Sequence, residues 1–152
     1  MNYWLLKSEP EAYSIDQLSR EGETIWDGIR NYQARNYLKS ARVGDRCFFY
    51  HSSSDPTGIA GLCEVTETMV IDPTQFDPAS EYFDPKSTEA EPRWHTVRVK
   101  FVEKFARVLT LAELQAAFSG DELMVVRKGN RLSVMPVSAD AARRILELAE
   151  RQ

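Results

Sequence analysis

Residues 93–105 read RWHTVRVKFVEKF, and this run sets the first constraint on the fold. On an extended chain His95, Val97, Val99 and Phe101 share one face, and Thr96, Arg98 and Lys100 share the other. A helix would scatter the same apolar positions around its axis. The run therefore predicts a long strand with one buried and one wet face, and such a strand needs neighbours. RCFFYHS (46–52) supplies an aromatic-rich strand, SSDPTG (53–58) a loop, and IAGLCEVTETMV (59–70) the returning partner.

Shorter signals fill in the rest. YWLLK (3–7) reads as a buried first strand that ends before Pro10. Ser14, with Gln17 three residues on, starts a short helix over SIDQLSRE. TIW (24–26) is a short strand, Gly28 permits a turn, and Asn31 is placed to cap a helix across YQARNYLKS. Thr110 and Glu113 form a second capping box, and Gly120 marks a stop. A Gly-Asn turn leads into a last strand on which Arg131 and Ser133 alternate with Leu132 and Val134. Ser138 opens a final helix with Ala141, Ile145 and Leu148 on one face. Five or so strands with short helices between them predict an α+β chain, a compact mixed β-barrel with peripheral helices. The spacing is too irregular for βαβ units and there is no Gly-rich phosphate loop, so nucleoside triphosphate and dinucleotide enzymes fit poorly. With 152 residues, 43% of them hydrophobic, the chain reads as a single domain over 1–152 with a substantial core.

Residues 72–92 contain three Asp-Pro pairs, Asp72-Pro73, Asp77-Pro78 and Asp84-Pro85. Proline lacks an N–H and biases the preceding residue away from helix. Phe76, Tyr82 and Phe83 lie in the same stretch, which predicts an ordered loop docked on the body.

The formal charge of −4 argues against a surface that coats duplex nucleic acid, but it is unevenly spread. Residues 30–46 and 93–107 each carry five basic residues against one acid, whereas residues 47–92 carry nine acids against Lys86. Ordinary solvated charge and convergence of the basic segments on one face both fit this pattern. Cys47 and Cys63 form neither a metal pattern nor a disulfide framework and read as buried thiols. No apolar run approaches the roughly 20 residues of a membrane helix, and the start reads as no signal peptide. The expectation is a cytoplasmic monomer without membrane, metal or cofactor.

IWDGIRNYQARNYLK (25–39) carries the densest chemical signal. Rings stack on planar ligands, amides read donor and acceptor edges, and guanidiniums hold anions; together they are the parts of a nucleobase site. Trp26 is the candidate for stacking on a base, and its polar, turning context places it near a rim rather than in the middle of a core. Arg30 and Arg35 are candidates for phosphate or ion pairing, and Asn31, Gln33 and Asn36 for edge reading. Ser8 and Glu9 follow the first strand, His51 and Ser52 follow an aromatic strand, and Arg131 and Ser133 share a face near the C-terminus. These positions are expected to line one concave pocket. Trp94 reads as core.

Five phrases, WLLKSEP, WDGIRNYQARN, FFYHS, YFDPKS…PRW and NRLSVMPV, occur in an order and spacing that resembles the EVE domain. The resemblance runs from Tyr3 to the last helix. It implies a PUA-like fold, a twisted and mostly antiparallel β-barrel with short helices at its rim, and kinship with YTH and ASCH domains. It also implies a non-catalytic reader of modified bases, methylated cytosine derivatives among them, with nucleic acid carrying such a base as the partner. DNA, RNA and a free nucleoside all remain open as hosts of the base.

Other classes are weaker. His51, Ser52 and Asp55 contain the residue types of a nucleophilic triad, but triads rest on geometry and not adjacency. Neither H-x-E nor P-C-x-x-C of the zinc deaminases is present. Lys7 and Glu9, on one side of an extended segment, could serve an ASCH-like nucleoside amidohydrolase. A protein-interaction module fits the acidic segment and leaves the polar-aromatic cluster unexplained.

Overall fold

The computed structural model describes all 152 residues. Six strands form one sheet: β1 (Tyr3–Ser8), β2 (Glu23–Ile25), β3 (Arg46–His51), β4 (Gly58–Ile71), β5 (His95–Thr110) and β6 (Val134–Val137). Their order is β2-β5-β4-β3-β1-β6, antiparallel throughout except for the β1–β3 pair. Four helices surround it: α1 (Ile15–Glu21), α2 (Tyr32–Ser40), α3 (Leu111–Ala117) and α4 (Ala139–Glu150). Ser14, Asn31, Thr110 and Ser138 each accept a backbone N–H as the expected N-caps, and Thr110 with Glu113 completes a reciprocal box.

The expected α+β class is present, but the strands do not close into a barrel. No ladder joins β2 to β6, so the sheet is open. Both edge strands are short, and β6 carries Pro136, whose nitrogen cannot donate. Curvature comes instead from β4 and β5, whose register slips at four points along their length. A second correction concerns Arg131 and Ser133. They lie in the loop ahead of β6, which begins only at Val134, although the Ser133 carbonyl still accepts the Lys7 N–H.

The sheet is covered on both faces. In β1 and β3 successive residues feed alternate cores: Leu6 and Phe49 pack with Leu18, Trp26 and Leu38 on one side, Leu5 and Phe48 with Leu114, Leu123 and Ile145 on the other. That is why these strands read as continuous apolar runs instead of alternating ones. Cys47 and Cys63 oppose each other across β3 and β4 as free, buried thiols. The neighbouring Cys63 thiol, followed by burial, raises the Cys47 pKa.

Residues 72–92 are the expected docked segment. Gln75 is fully buried in a short turn of helix, Pro73–Phe76. Its amide donates to the carbonyls of Asp72 (2.7 Å) and Trp94 (2.9 Å) and accepts the N–H groups of Arg93 and Trp94 (3.1 Å each). All four hydrogen-bonding positions of the side chain are filled. Gln75→Ala strands these backbone groups in a dry site. A loss of roughly 3–5 kcal/mol in urea unfolding is expected, far beyond an ordinary surface substitution.

Candidate functional site

A cleft of about 1050 Å³ opens where the ends of β1 and β2 meet the 80s loop. Lys7, Ser8 and Glu9 enter from β1, and Thr24 to Ile29 from β2 and the turn after it. Tyr13, Gln17 and Glu21 come from the α1 region, Glu81 and Tyr82 from the loop, and Ser52, Arg131 and Ser133 close the far side.

Trp26 forms the floor. It is 6% exposed and belongs to the core, with Phe49 (5.3 Å) and Tyr13 (6.4 Å) meeting it edge to face. The expected rim position is therefore corrected: β2 carries the residue inward, where its N–H bonds to the Val97 carbonyl, and the polar turn begins one residue later. Gly28 makes that turn at φ +82° and donates to Asp72 Oδ2 at 2.9 Å. A Cβ there would lie 2.8 Å from the Tyr82 ring, so Gly28 gives Tyr82 its place as a wall of the cleft.

Six of the twelve expected site residues meet here: Ser8, Glu9, Trp26, Ser52, Arg131 and Ser133. Ser8 Oγ already donates to the Tyr13 carbonyl at 2.7 Å. The other six do not line the cleft, and their side chains have internal partners. Arg30 is held by Asp72 (3.0 Å), Thr74 (3.0 Å) and the Tyr82 carbonyl (2.9 Å). Asn31 caps α2, Gln33 reaches the Tyr37 hydroxyl, and Arg35 donates to Asn36 and the Arg93 carbonyl. His51 Nε2 accepts the Ile15 N–H at 3.2 Å, satisfying a free donor at the start of α1. Burial lowers the His51 pKa, with Lys104 adding to the effect and Asp16 opposing it, which suits an imidazole that must stay neutral to accept.

Lys7 and Asp27 were outside the predicted binding set, Lys7 having been weighed only as a catalytic group. Neither makes a salt bridge or a side-chain hydrogen bond, although Lys7 Nζ lies 5.7 Å from the Tyr50 ring centre. Burial lowers the Lys7 pKa. Asp27 is open to solvent along the cleft and crowded by protein on its other sides; desolvation, then the charge of Asp72, raises its pKa. Tyr13 is pushed up to about 12, chiefly by burial. Perturbed, unpartnered groups converging on an aromatic floor are the marks of a ligand site. No three His, Cys, Asp or Glu side chains come together in a way that could hold a metal ion.

The basic segments are split between paired and unpaired cations. Arg46 and Lys100 pair with Glu64, Arg98 with Glu67, and Arg30 with Asp72, so much of the basic charge meets the acidic segment across neighbouring strands.

Comparison with known proteins finds relatives over nearly the whole chain. Thymocyte nuclear protein 1 of Homo sapiens is 36% identical over 169 residues, covering 99% of this chain and 75% of that protein. A solved protein from Pseudomonas putida is 49% identical with a TM-score of 0.93, covering 97% of this chain and 99% of that one. The crystal structure of human THYN1 protein in complex with 5-methylcytosine-containing DNA is 36% identical with a TM-score of 0.91, covering 100% of this chain and 99% of that one. The YTH domain of Mmi1, at 13% identity and a TM-score of 0.58, shares the fold alone. The EVE domain family matches residues 2–148, and the chain belongs to that family.

Proposed function

We propose that this protein binds DNA carrying a methylated cytosine and takes the modified base into the cleft floored by Trp26. The observation that carries the reading is the full-length likeness to human THYN1 protein, whose structure holds 5-methylcytosine-containing DNA. The cleft supplies suitable chemistry. Flat apolar surface suits a base ring and its methyl group. Lys7 offers donors, Asp27 offers an acceptor for an exocyclic amine, and Ser52 and Ser133 offer hydroxyls. The protein acts in this reading as a binding domain and not as an enzyme.

The burial of Trp26 decides how the reading is tested. Trp26→Ala removes core packing worth about 3–5 kcal/mol, so lost binding there would be confounded by lost folding. Lys7→Ala and Asp27→Ala spare the core. Each is expected to weaken binding of a 5-methylcytosine oligonucleotide roughly ten- to hundredfold, as for hydrogen bonds to charged groups. Fluorescence anisotropy against the unmethylated twin is the measurement. Equal affinity of the wild type for the two oligonucleotides would defeat the proposal. Conversion of an acylated cytidine to cytidine by wild type, lost in Lys7→Ala or Glu9→Ala, would replace it with the amidohydrolase reading.

Asp27 yields a second, independent test. A carboxyl whose folded pKa lies above its unfolded value, about 3.9, costs stability once the pH exceeds that value. Asp27→Asn removes the cost. Its Tm is expected to exceed that of the wild type at pH 7, and the difference to fade as the pH falls below about 3.9, where Asp27 of the wild type is protonated in both the folded and the unfolded chain. A lower Tm for the variant at pH 7 would mean that Asp27 stabilises the fold and is not held open for a ligand.

A further inference from the structure

Outside the cleft, α2 and the start of β5 build a surface that the base site does not use. Tyr32, at the first turn of α2, is 51% exposed. Its inner face stacks on Trp94, with ring centres 4.9 Å apart and planes 18° from parallel. The Arg35 guanidinium lies 4.7 Å from the Tyr32 ring centre and 5.8 Å from that of Trp94. A group covering the far face of Tyr32 would stand much farther from Trp94, so Arg35 flanks the stack and leaves that outer face open. Arg93 flanks it too, donating to the Tyr32 hydroxyl at 3.3 Å.

The charges at this surface differ from those of the neighbouring strands. Most cations of the sheet are matched by carboxylates, but Arg35, Lys39 and Arg93 have none within salt-bridge distance. Asp84, the nearby acid, spends Oδ2 on the Trp94 indole N–H at 2.8 Å. His95 sits among them with a buried Nδ1 that has no partner, and burial, then Lys39 and Arg35, lower its pKa. A half-exposed ring with one free face, flanked by unneutralised cations, is the arrangement that tracks a nucleic acid strand: the ring stacks and the cations meet phosphates.

The surface is also mechanically continuous with the cleft. Tyr82 is a cleft wall, and the Arg30 guanidinium bridges it to Trp94, at 5.7 Å and 5.1 Å from the two ring centres. Tyr32 is one stack farther along. We propose that the Tyr32–Trp94 stack, with Arg35, Lys39 and Arg93, is a second DNA contact that holds the strand flanking the nucleotide in the cleft, through stacking and phosphate pairing without regard to base identity. The proposal rests on the DNA-binding reading above and assigns the affinity that reading leaves unexplained in a protein of net charge −4.

Tyr32→Ala and Arg93→Ala test it, with native near-ultraviolet circular dichroism as the check of folding. The backbone around Arg93 is held by Gln75 and not by the Arg93 side chain, so Arg93→Ala keeps the loop in place. Binding is measured across a salt titration with a 5-methylcytosine oligonucleotide and its unmethylated twin. Arg93→Ala is expected to weaken both equally and to reduce the salt slope by about 0.7–0.9, the loss of one phosphate contact. Tyr32→Ala is expected to weaken both by about five- to hundredfold, with the ratio between them unchanged. Unaltered affinity and slope in both variants overturn the proposal, and so does a loss confined to the methylated oligonucleotide. A wild type with no preference for the methylated base defeats the cleft reading instead; a reduced slope in Arg93→Ala would still support this surface.

Discussion

One buried carboxylate ties the functional half of the molecule together. Asp72 is 1% exposed, and its two oxygens take the N–H groups of Gly28 and Thr74, the Thr74 hydroxyl and the Arg30 guanidinium. Charge-assisted bonds of this kind are strong, and a buried carboxylate is tolerable only when it is so fully satisfied. Through Gly28, Asp72 fixes the turn after Trp26. Through Arg30 it fixes the guanidinium that spans Tyr82 and Trp94. Its backbone N–H bonds to the Trp94 carbonyl, so the same residue joins the end of β4 to the start of β5. The cleft wall and the Tyr32 stack thus descend from one anchor. A negative charge at this point also explains why Asp27, close by and unpaired, titrates high.

The sequence disclosed the strands and helix starts because those depend on local rules. Alternation marked β5, and capping residues marked all four helices, since a cap acts over three residues of chain. Positions that depend on distant partners were harder to read. Trp26 looked like a rim residue because Asp27 and Gly28 follow it; its burial is decided by Phe49 and Val97, far away in sequence. Arg30 read as a residue for phosphate or ion pairing, and it does form an ion pair, but the partner, Asp72, lies 42 residues away. Tyr82 was legible only as an aromatic in an ordered loop, because its role as a wall comes from contact with Gly28, which no spacing encodes. Asp27 read only as an acid with which Arg30 or Arg35 could pair; Arg30 pairs with Asp72 instead, and a carboxylate left without a salt bridge becomes visible only when the partners of its neighbours are known.

The segregation of charge illustrates the same point. Basic and acidic blocks separated along the chain suggested an electropositive face. Antiparallel pairing of β4 with β3 and β5 instead lays Glu64 and Glu67 against Arg46, Arg98 and Lys100. Exposed pairs of this sort contribute little stability, but they remove charge from the surface. Among the cations left unpaired, Lys7 and Arg131 line the cleft, and Arg35, Lys39 and Arg93 lie on α2 and just ahead of β5.

The cleft itself is arranged against the interests of the folded state alone. Lys7 is partly desolvated with no counter-ion, and Asp27 faces a second carboxylate without a salt bridge of its own. Either group would be more comfortable paired, and the two do not pair with each other. A protein optimised only for stability would neutralise or replace them. Their persistence beside an aromatic floor and a tyrosine wall makes sense if a ligand completes the hydrogen bonding, because the desolvation has then been met in advance and each new bond contributes more fully to affinity. Full occupation of Asp72 and Gln75 by internal partners makes this possible. The scaffold around the cleft is satisfied bond by bond, so the strain of the open groups is borne without loosening the walls that hold them.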